Sequence, residues 1–467
     1  MDDDMRVALV PIYVDYYEGL VPGVRIAKEE LLQKVIAAIE NDHEVDLFDR
    51  VTSVASARLA REMLPQTRPD CVIVLPLVAA FSVVTDELVK GWNAPLVLLS
   101  AMADAKVPAG LTMPKVVAES QSFGCQAVAN GWQRQGIKFY VLHRIPGTSE
   151  GDTALRGLLK SIELHQQIRG LRMGIIGEPF AEMSDVALPR KEFEARTGAR
   201  IVRIPMKHLH VLMEKVSKRA LGDFEKKLAK TFVFGRFSPR EKEISLRAAI
   251  AIQQLALEKH LGCAAFNSHG SQGLKSEKLG LMCALGLTLA TSSGCPMAEV
   301  GDLCTALAMW VGRSLGGAAY YTELDSAYIS DHNWLLLNSG EYDLQWLRPG
   351  FRPRLVPNSN FMGVNGRGIS LCAPLRTGPA TIMNFTPTPH ADRPYRLLVC
   401  EGTVTEEWFP RMQVGNACFR VNGDARALYE QWLAAGPVHH SATCPGHLST
   451  AIQVFCQLRD WNFVKIG

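Results

Sequence analysis

The sequence predicts two α/β domains in succession followed by a C-terminal β-rich domain, and three observations predict it. Short β-branched runs alternate with longer segments whose apolar residues recur every three or four positions, the signature of βαβ winding. That alternation restarts near residue 171. Beyond about residue 346, prolines and glycines punctuate short strand candidates, as in an antiparallel sheet or barrel. A chain of 467 residues is also too long for one hydrophobic core.

The first domain, residues 1–170, has strand candidates R-V-A-L-V-P-I-Y, E-V-D-L-F, D-C-V-I-V-L-P-L, P-L-V-L-L-S and K-F-Y-V-L. Runs this uniformly apolar belong in a parallel sheet covered on both faces. Between the first two lies R-I-A-K-E-E-L-L-Q-K-V-I-A-A-I-E, with helical spacing of its apolar residues. The second domain, residues 171–345, opens with L-R-M-G-I-I-G-E-P and continues through I-V-R-I-P, F-V-F-G and G-C-A-A-F-N-S. Its E-K-E-I-S-L-R-A-A-I-A-I-Q-Q-L-A-L-E-K-H is the clearest helix of the chain. The third, residues 346–467, contains G-I-S-L-C-A-P-L, A-T-I-M-N-F, Y-R-L-L-V-C-E-G and N-A-C-F-R-V, then V-H-H, a helical S-T-A-I-Q-V-F-C-Q-L and a strand-like N-F-V-K-I.

Composition excludes several classes of function. Hydrophobic residues make up 47% and charged residues 21%, which is ordinary for a globular protein and rules out disorder. The net charge of +3 comes without a Lys/Arg run, so nucleic acid is not an expected partner. The acidic start M-D-D-D-M is the reverse of a secretory leader, and V-I-V-L-P-L-V-A-A-F-S-V-V is too short and proline-broken to span a membrane. Eleven scattered cysteines without C-x-x-C pairs read as core residues in a reducing, cytoplasmic setting.

Chemistry concentrates at G-C-P-M-A-E-V-G-D, residues 294–302, which runs into the apolar L-C-T-A-L-A-M-W-V-G. Glu299 and Asp302 thus stand at the mouth of a buried helix. Capping the free N–H groups there is one explanation of either acid. A second carboxylate, Glu323 in Y-Y-T-E-L-D, follows after room for a helix and a turn, and it raises the alternative of a site.

These residues carry a resemblance. G-C-P-M-A-E-V-G-D-L-C-T-A-L-A-M-W-V-G-R-S-L-G-G is similar to the G-x-P-x-x-x-E-x-D helix of the L-fucose isomerase and L-arabinose isomerase superfamily, with its A-M-x-x-G and L-x-G continuation. W-L-L-L-N-S-G-E resembles the strand and turn following the family's second catalytic acid, and G-P-V-H-H-S resembles its C-terminal histidine loop. The resemblance implies two Rossmann-like domains, a C-terminal β-barrel domain and a divalent-metal aldose–ketose isomerase. It implies manganese (Mn2+), with cobalt (Co2+) or magnesium (Mg2+) compatible with the same donors. In such enzymes two carboxylates and a histidine hold the ion, and the acids move a proton between C1 and C2 through a cis-enediol.

Carried over, Glu299 is the first acid and metal ligand, Glu323 the second, and His439 or His440 the imidazole. The two acids are expected to meet at one end of a sheet. In an ungapped reading the family's Glu falls on Val300, and on a helix one position is a turn of about 100°, so Asp302 is the reserve for that role. Asp325, two residues beyond Glu323, is the reserve for the second acid because alternate strand residues share a face. Asn338, where many members carry His, points to the three-ligand, fucose-type sphere. Asn338, Ser339 and His269 are the expected substrate contacts, the last because F-N-S-H-G-S-Q-G follows a strand and enters a glycine-rich turn.

Other features point elsewhere. G-I-I-G-E-P lacks the third glycine of a dinucleotide turn, so nicotinamide is not expected. Arg348, Arg352, Arg354, Arg367 and Arg376 form either a solvated basic face or a clamp for an anionic group at C6, with Arg348 and Arg352 taken as substrate-binding. The family's assembly and the apolar helices of the first domain imply a homo-oligomer, a trimer or hexamer. A non-catalytic sugar or sugar-acid binding protein of the same fold, and a lyase or epimerase sharing the enediolate, are the alternative functions.

Overall fold

The computed structural model describes residues 5–180, 183–268, 276, 278–358 and 367–467. It is a mixed α/β chain with parallel sheets, divided into two compact units, Met1–Glu163 and Leu164–Gly467. No helix among the described residues is long and apolar enough to cross a membrane.

In the first unit β1 (Arg6–Ile12), β2 (Glu44–Leu47), β3 (Cys71–Pro76), β4 (Leu96–Ala101) and β5 (Tyr140–Arg144) form a parallel sheet in the order β2-β1-β3-β4-β5. Each coincides with one of the five expected runs. β3 and β4 are buried along their whole length, which is why their sequences show no polar alternation. Val84, Leu88, Val128 and Trp132 pack beneath the sheet.

The second unit begins with another parallel sheet. Its strands are β6 (Arg172–Ile176) and β7 (Arg200–Ile204), and beyond β8 (Val233–Phe234) come β9 (Cys263–Phe266) and β10 (Met297–Ala298), in the order β10-β9-β6-β7. The helix Pro239–Glu258 starts from Ser238, whose hydroxyl accepts the Glu241 N–H, with proline at the first position. The F-V-F-G run, expected in the parallel sheet, is β8 and pairs elsewhere.

The later strands are β11 (Tyr320–Tyr328), β12 (Asn333–Asn338), β13 (Arg354–Pro357), β14 (Ile369–Cys372), β15 (Gly378–Pro387), β16 (Tyr395–Val404), β17 (Gly415–Val421), β18 (His440–Pro445) and β19 (Asn462–Ile466). β13 pairs with both β14 and β8. Pairings of β11 with β12 and β18, of β17 with β12 and β16, and of β15 with β16 and β18 close six antiparallel strands into a ring. β19 lies parallel to the first half of β16.

Closure differs from the division read in the sequence. β11 and β12 precede residue 346, yet they complete the ring with strands that follow it. Residues 171–345 and 346–467 are therefore interleaved within one unit. The helix Leu303–Gly316, buried continuously from Leu303 to Gly312, packs on the same core as Met383, Ala442 and Cys444 of the ring.

Candidate active site

Glu299 lies between β10 and the helix Leu303–Gly316, in a tight turn and not on the helix. Val300 (φ 50°) and Gly301 (φ 78°) both occupy the left-handed region, a conformation uncommon for a β-branched residue. At Gly301 a Cβ would come 2.7 Å from the Cα of Pro179, so glycine is required on two counts. The 100° helical argument for a one-residue shift does not apply to this backbone. Glu299 is 1% exposed. Its Oε1 accepts the Ser268 hydroxyl at 2.6 Å, and its Oε2 accepts the N–H of Ser268 at 3.1 Å and of Val300 at 3.3 Å.

Asp302 is the N-cap of that helix and also part of the cluster. Its Oδ1 accepts the Thr305 N–H at 2.9 Å and its Oδ2 the Thr305 hydroxyl at 2.7 Å, while His440 Nδ1 stands 3.0 Å from Oδ2. Capping and site, alternatives in the sequence, are here one residue. A carboxylate can only accept, so the Nδ1 proton belongs on His440 and the lone pair of a neutral ring falls on Nε2. That nitrogen lies 3.7 Å from Glu323 Oε1. The strand register explains the pairing: Glu323 of β11 is directly opposite His440 of β18. Glu299 follows a parallel strand and Glu323 sits in the antiparallel ring, so the two acids do not come from the end of one sheet as expected.

Glu341, passed over in the sequence, is the most unusual member. It is buried, and among the described residues neither carboxylate oxygen has a partner with hydrogen-bond geometry. Burial, then the charges of Glu299 and Glu323, push its carboxyl well above the usual range, and its own amide and that of Ser339 offset only part of this. Tyr321, whose ring lies 5.0 Å from that of His440, has a buried hydroxyl without a partner among the described residues. Burial raises its phenol, and Glu323, Asp302, Glu299 and Glu341 all raise it further. Cys283 responds in the same way, to burial first and then to Glu299 and Glu341. The four carboxylates therefore share one neighbourhood.

The structure separates the two histidines. His440 faces the acids, whereas His439 turns its Nδ1 to Asp185 at 2.6 Å and also gives Asp185 its backbone N–H. Burial works against the charge of Asp185, but the bonds from His439 outweigh it and hold the carboxyl below its usual value. Asp185 carries no motif and was not legible in the sequence.

Asp325 does not stand in for Glu323. A β-bulge between Leu324 and Ser326 breaks the alternation, and Asp325 is exposed with the Ser326 hydroxyl on its carboxylate. Asn338 gives both amide hydrogens to the backbone carbonyls of Tyr321 and Glu341, and its Oδ1 accepts the Gly340 N–H. It holds the turn that presents Glu341. The carbonyl of Ser339 accepts from Asn358 and Ser370. Arg348 donates to the carbonyl of Glu406, and Arg352 to those of Ala229 and Phe232, so these guanidinium groups brace main chain and touch none of the acids. His269 lies outside the described residues; its neighbour Ser268 is the side chain that reaches Glu299.

Among the described residues no group of three or more His, Cys, Asp or Glu is arranged as a metal cage. All eleven cysteines are buried thiols.

No protein-family model matches the sequence, and no curated protein matches it. Among solved structures the chain is similar to an ABC transporter solute-binding protein from Burkholderia multivorans, at 12% identity over 59% of this chain and 85% of that one, with a TM-score of 0.17. It is also similar to a periplasmic solute-binding protein from Actinobacillus succinogenes with bound D-allose, at 15% identity over 56% and 78%, TM-score 0.15. A third is the D-lactate dehydrogenase of Escherichia coli, at 10% identity over 66% and 93%, TM-score 0.15. At these scores the likeness carries no argument.

Proposed function

We propose that the chain is a metal-dependent aldose–ketose isomerase acting on a monosaccharide through a cis-enediol. The observation that carries this reading is Glu341: a buried carboxylate with no well-formed hydrogen bond to either oxygen among the described residues, raised by burial first and then by the charges of Glu299 and Glu323. Several carboxylates gathered in low dielectric need protons or a cation to offset them. The donor types suit a hard divalent ion such as manganese, which Glu299, Glu323 and the Nε2 of His440 would hold once drawn together, since among the described residues they are not grouped as a cage. When bound, the ion supplies Lewis-acid polarisation of the sugar oxygens and orients them.

The chain's own residues account for the rest. Glu323 is the most accessible of the four acids, with a side chain 23% exposed, and is the group that exchanges a proton with the sugar carbons. Asp302 fixes the tautomer and the plane of His440, as second-layer carboxylates do for ligating histidines. Glu341 holds a proton next to these charges. Ketose formation from a panel of aldoses, with manganese and after chelation, tests the reading. Turnover that is abolished in Glu323→Gln and His440→Asn supports it. Sugar binding without ketose formation under any metal would transfer the fold to a binding protein, and an eliminated or epimerised product would transfer it to the lyase or epimerase class.

A further inference from the structure

An opening lies where the start of the helix Pro239–Glu258 meets residues 279–281. Ser238, Arg240, Glu241, Ser276, Leu281 and Arg367 contribute to its lining, and its volume is about 430 Å³. Arg367 is the one arginine of the anticipated clamp that lines this cavity, and it arrives with Arg240, which the sequence did not single out. Neither guanidinium has an ion pair or a side-chain hydrogen bond among the described residues. The one carboxylate present, Glu241, is already engaged, its Oε1 accepting the Gly368 N–H at 2.6 Å. The Ser238 hydroxyl accepts the Glu241 N–H at 3.2 Å and that of Ser276 the Leu279 N–H at 3.3 Å, and among the described residues neither O–H has an acceptor.

One stretch of main chain links the lining to the acids. Met282 gives its N–H to the Arg367 carbonyl at 2.8 Å, and a Cβ on Gly368 would stand 2.4 Å from the Met282 carbonyl oxygen, so these segments are in close contact. Leu281 lies two residues before Cys283, a span of at most about 7.6 Å between Cα atoms. The Cys283 N–H reaches Ser268 Oγ at 3.2 Å, and that hydroxyl donates to Glu299.

We propose that this cavity binds a tetrahedral oxyanion, phosphate or sulfonate, carried at the far end of the sugar whose reacting end meets the acids. Two guanidinium forks and two hydroxyls offer more donors than the two oxygens of a carboxylate can accept, and they suit the three oxygens of a phosphate or sulfonate ester end. The link to a sugar rests on the isomerase reading; the anion site does not.

The test titrates sodium sulfate and inorganic phosphate into the full chain at constant ionic strength, with sodium chloride as the reference, following the melting temperature and heat of binding. A saturable effect that weakens about tenfold or more in Arg240→Gln and in Arg367→Gln, and persists in Arg376→Gln, supports the site. No saturable effect beyond chloride, or one unchanged in both variants, overturns it. In a second arm, aldoses phosphorylated or sulfonated at the terminal carbon bind the metal-free protein more tightly than the inorganic anions; equal affinity overturns the connection to the acid cluster. A protein that binds sulfate yet isomerises nothing keeps the anion site and loses the isomerase. One that isomerises neutral aldoses without binding sulfate does the reverse.

Discussion

Asp302 caps the helix Leu303–Gly316 through Thr305 and, with the same Oδ2 that takes the Thr305 hydroxyl, stands 3.0 Å from His440 Nδ1. One carboxylate thus starts a helix and orients an imidazole contributed by a strand more than a hundred residues later. The two duties are separable by substitution. Serine caps a helix nearly as well as aspartate, whereas alanine loses about 1 kcal/mol. We expect Asp302→Ser to be the more stable variant by roughly that amount in urea denaturation, while both lower turnover by about 10–100-fold, as loss of a second-layer partner does. Recovery of turnover in the serine variant would show that Asp302 acts through the helix alone.

Glu299 and Glu323 respond differently to the same change. Glu299 accepts three donors in a buried turn, so glutamine there turns an N–H₂ toward a donor and destabilises by about 1–3 kcal/mol. Glu323 is partly exposed and its pairing with His440 is a loose one, so Glu323→Gln is expected to keep the folding free energy within about 1 kcal/mol of the parent in urea denaturation. Loss of turnover in Glu323→Gln is therefore the cleaner reading of chemistry. A Glu323→Gln protein of normal stability and normal rate would remove Glu323 from the mechanism.

Glu341 predicts a pH dependence of stability. Its folded-state pKa is raised, by burial first and by Glu299 and Glu323 next. The folded chain then holds a proton that the unfolded chain releases above about pH 4.3. This contribution is complete below that value and declines as pH rises toward the folded-state pKa. Glu341→Gln removes the ionisation, so urea titrations between about pH 5 and about pH 8 are expected to show a shallower loss of stability than the parent. Manganese, by offsetting the cluster charge, is expected to stabilise the parent more at the upper end of that range. Parallel slopes for parent and variant would place the proton elsewhere.

Much of the fold was legible because its signals are local. The strands of the first sheet are short runs between turns, with β3 and β4 apolar almost throughout, and the helix Pro239–Glu258 announces itself by a serine cap, a proline and a clear period. An antiparallel sheet or barrel is expected beyond about residue 346, but the part that β11 and β12 take in the ring was not legible, since the pairing of Tyr320–Glu323 with His440–Thr443 joins distant segments and leaves no periodic trace. The same non-locality hid the choice between His439 and His440, which depends on whether Asp185 or Asp302 faces each ring. Glu341 sits in a turn, where no hydrophobic period marks a residue as buried. Its burial follows from the Asn338 bonds that fold the turn inward, a role that the resemblance to a ligand position had obscured.

The turn after β10 allows a test of backbone strain against site geometry. Gly301 combines φ 78° with a neighbour 2.7 Å from where a Cβ would sit. Alanine there is expected to destabilise by more than the roughly 1 kcal/mol of an uncrowded left-handed position, because the Pro179 backbone cannot turn aside. The loss falls on the loop that places both Glu299 and Asp302, so turnover should drop with stability. Near-parent stability of Gly301→Ala, by thermal melting, would mean that the loop relaxes freely and that its geometry is not imposed.

The first unit supplies the last prediction. Tyr16 and Leu20 follow β1, Val107, Leu111 and Met113 follow β4, and all five are exposed, Val107 at 82% and Met113 at 71%. The helices Tyr16–Leu20 and Met113–Ala118 lie against each other, so these side chains come from adjoining segments. Exposed apolar side chains gathered after parallel strands are a candidate surface for association. A second copy of the chain is the occupant we expect, in a closed trimer or hexamer. Light scattering at micromolar concentration should report the assembly. Val107→Asp combined with Met113→Asp should dissociate it without lowering the stability of the unit, since neither side chain is buried in the chain itself. A monomeric parent protein, or an assembly indifferent to both charges, would remove this face as the interface.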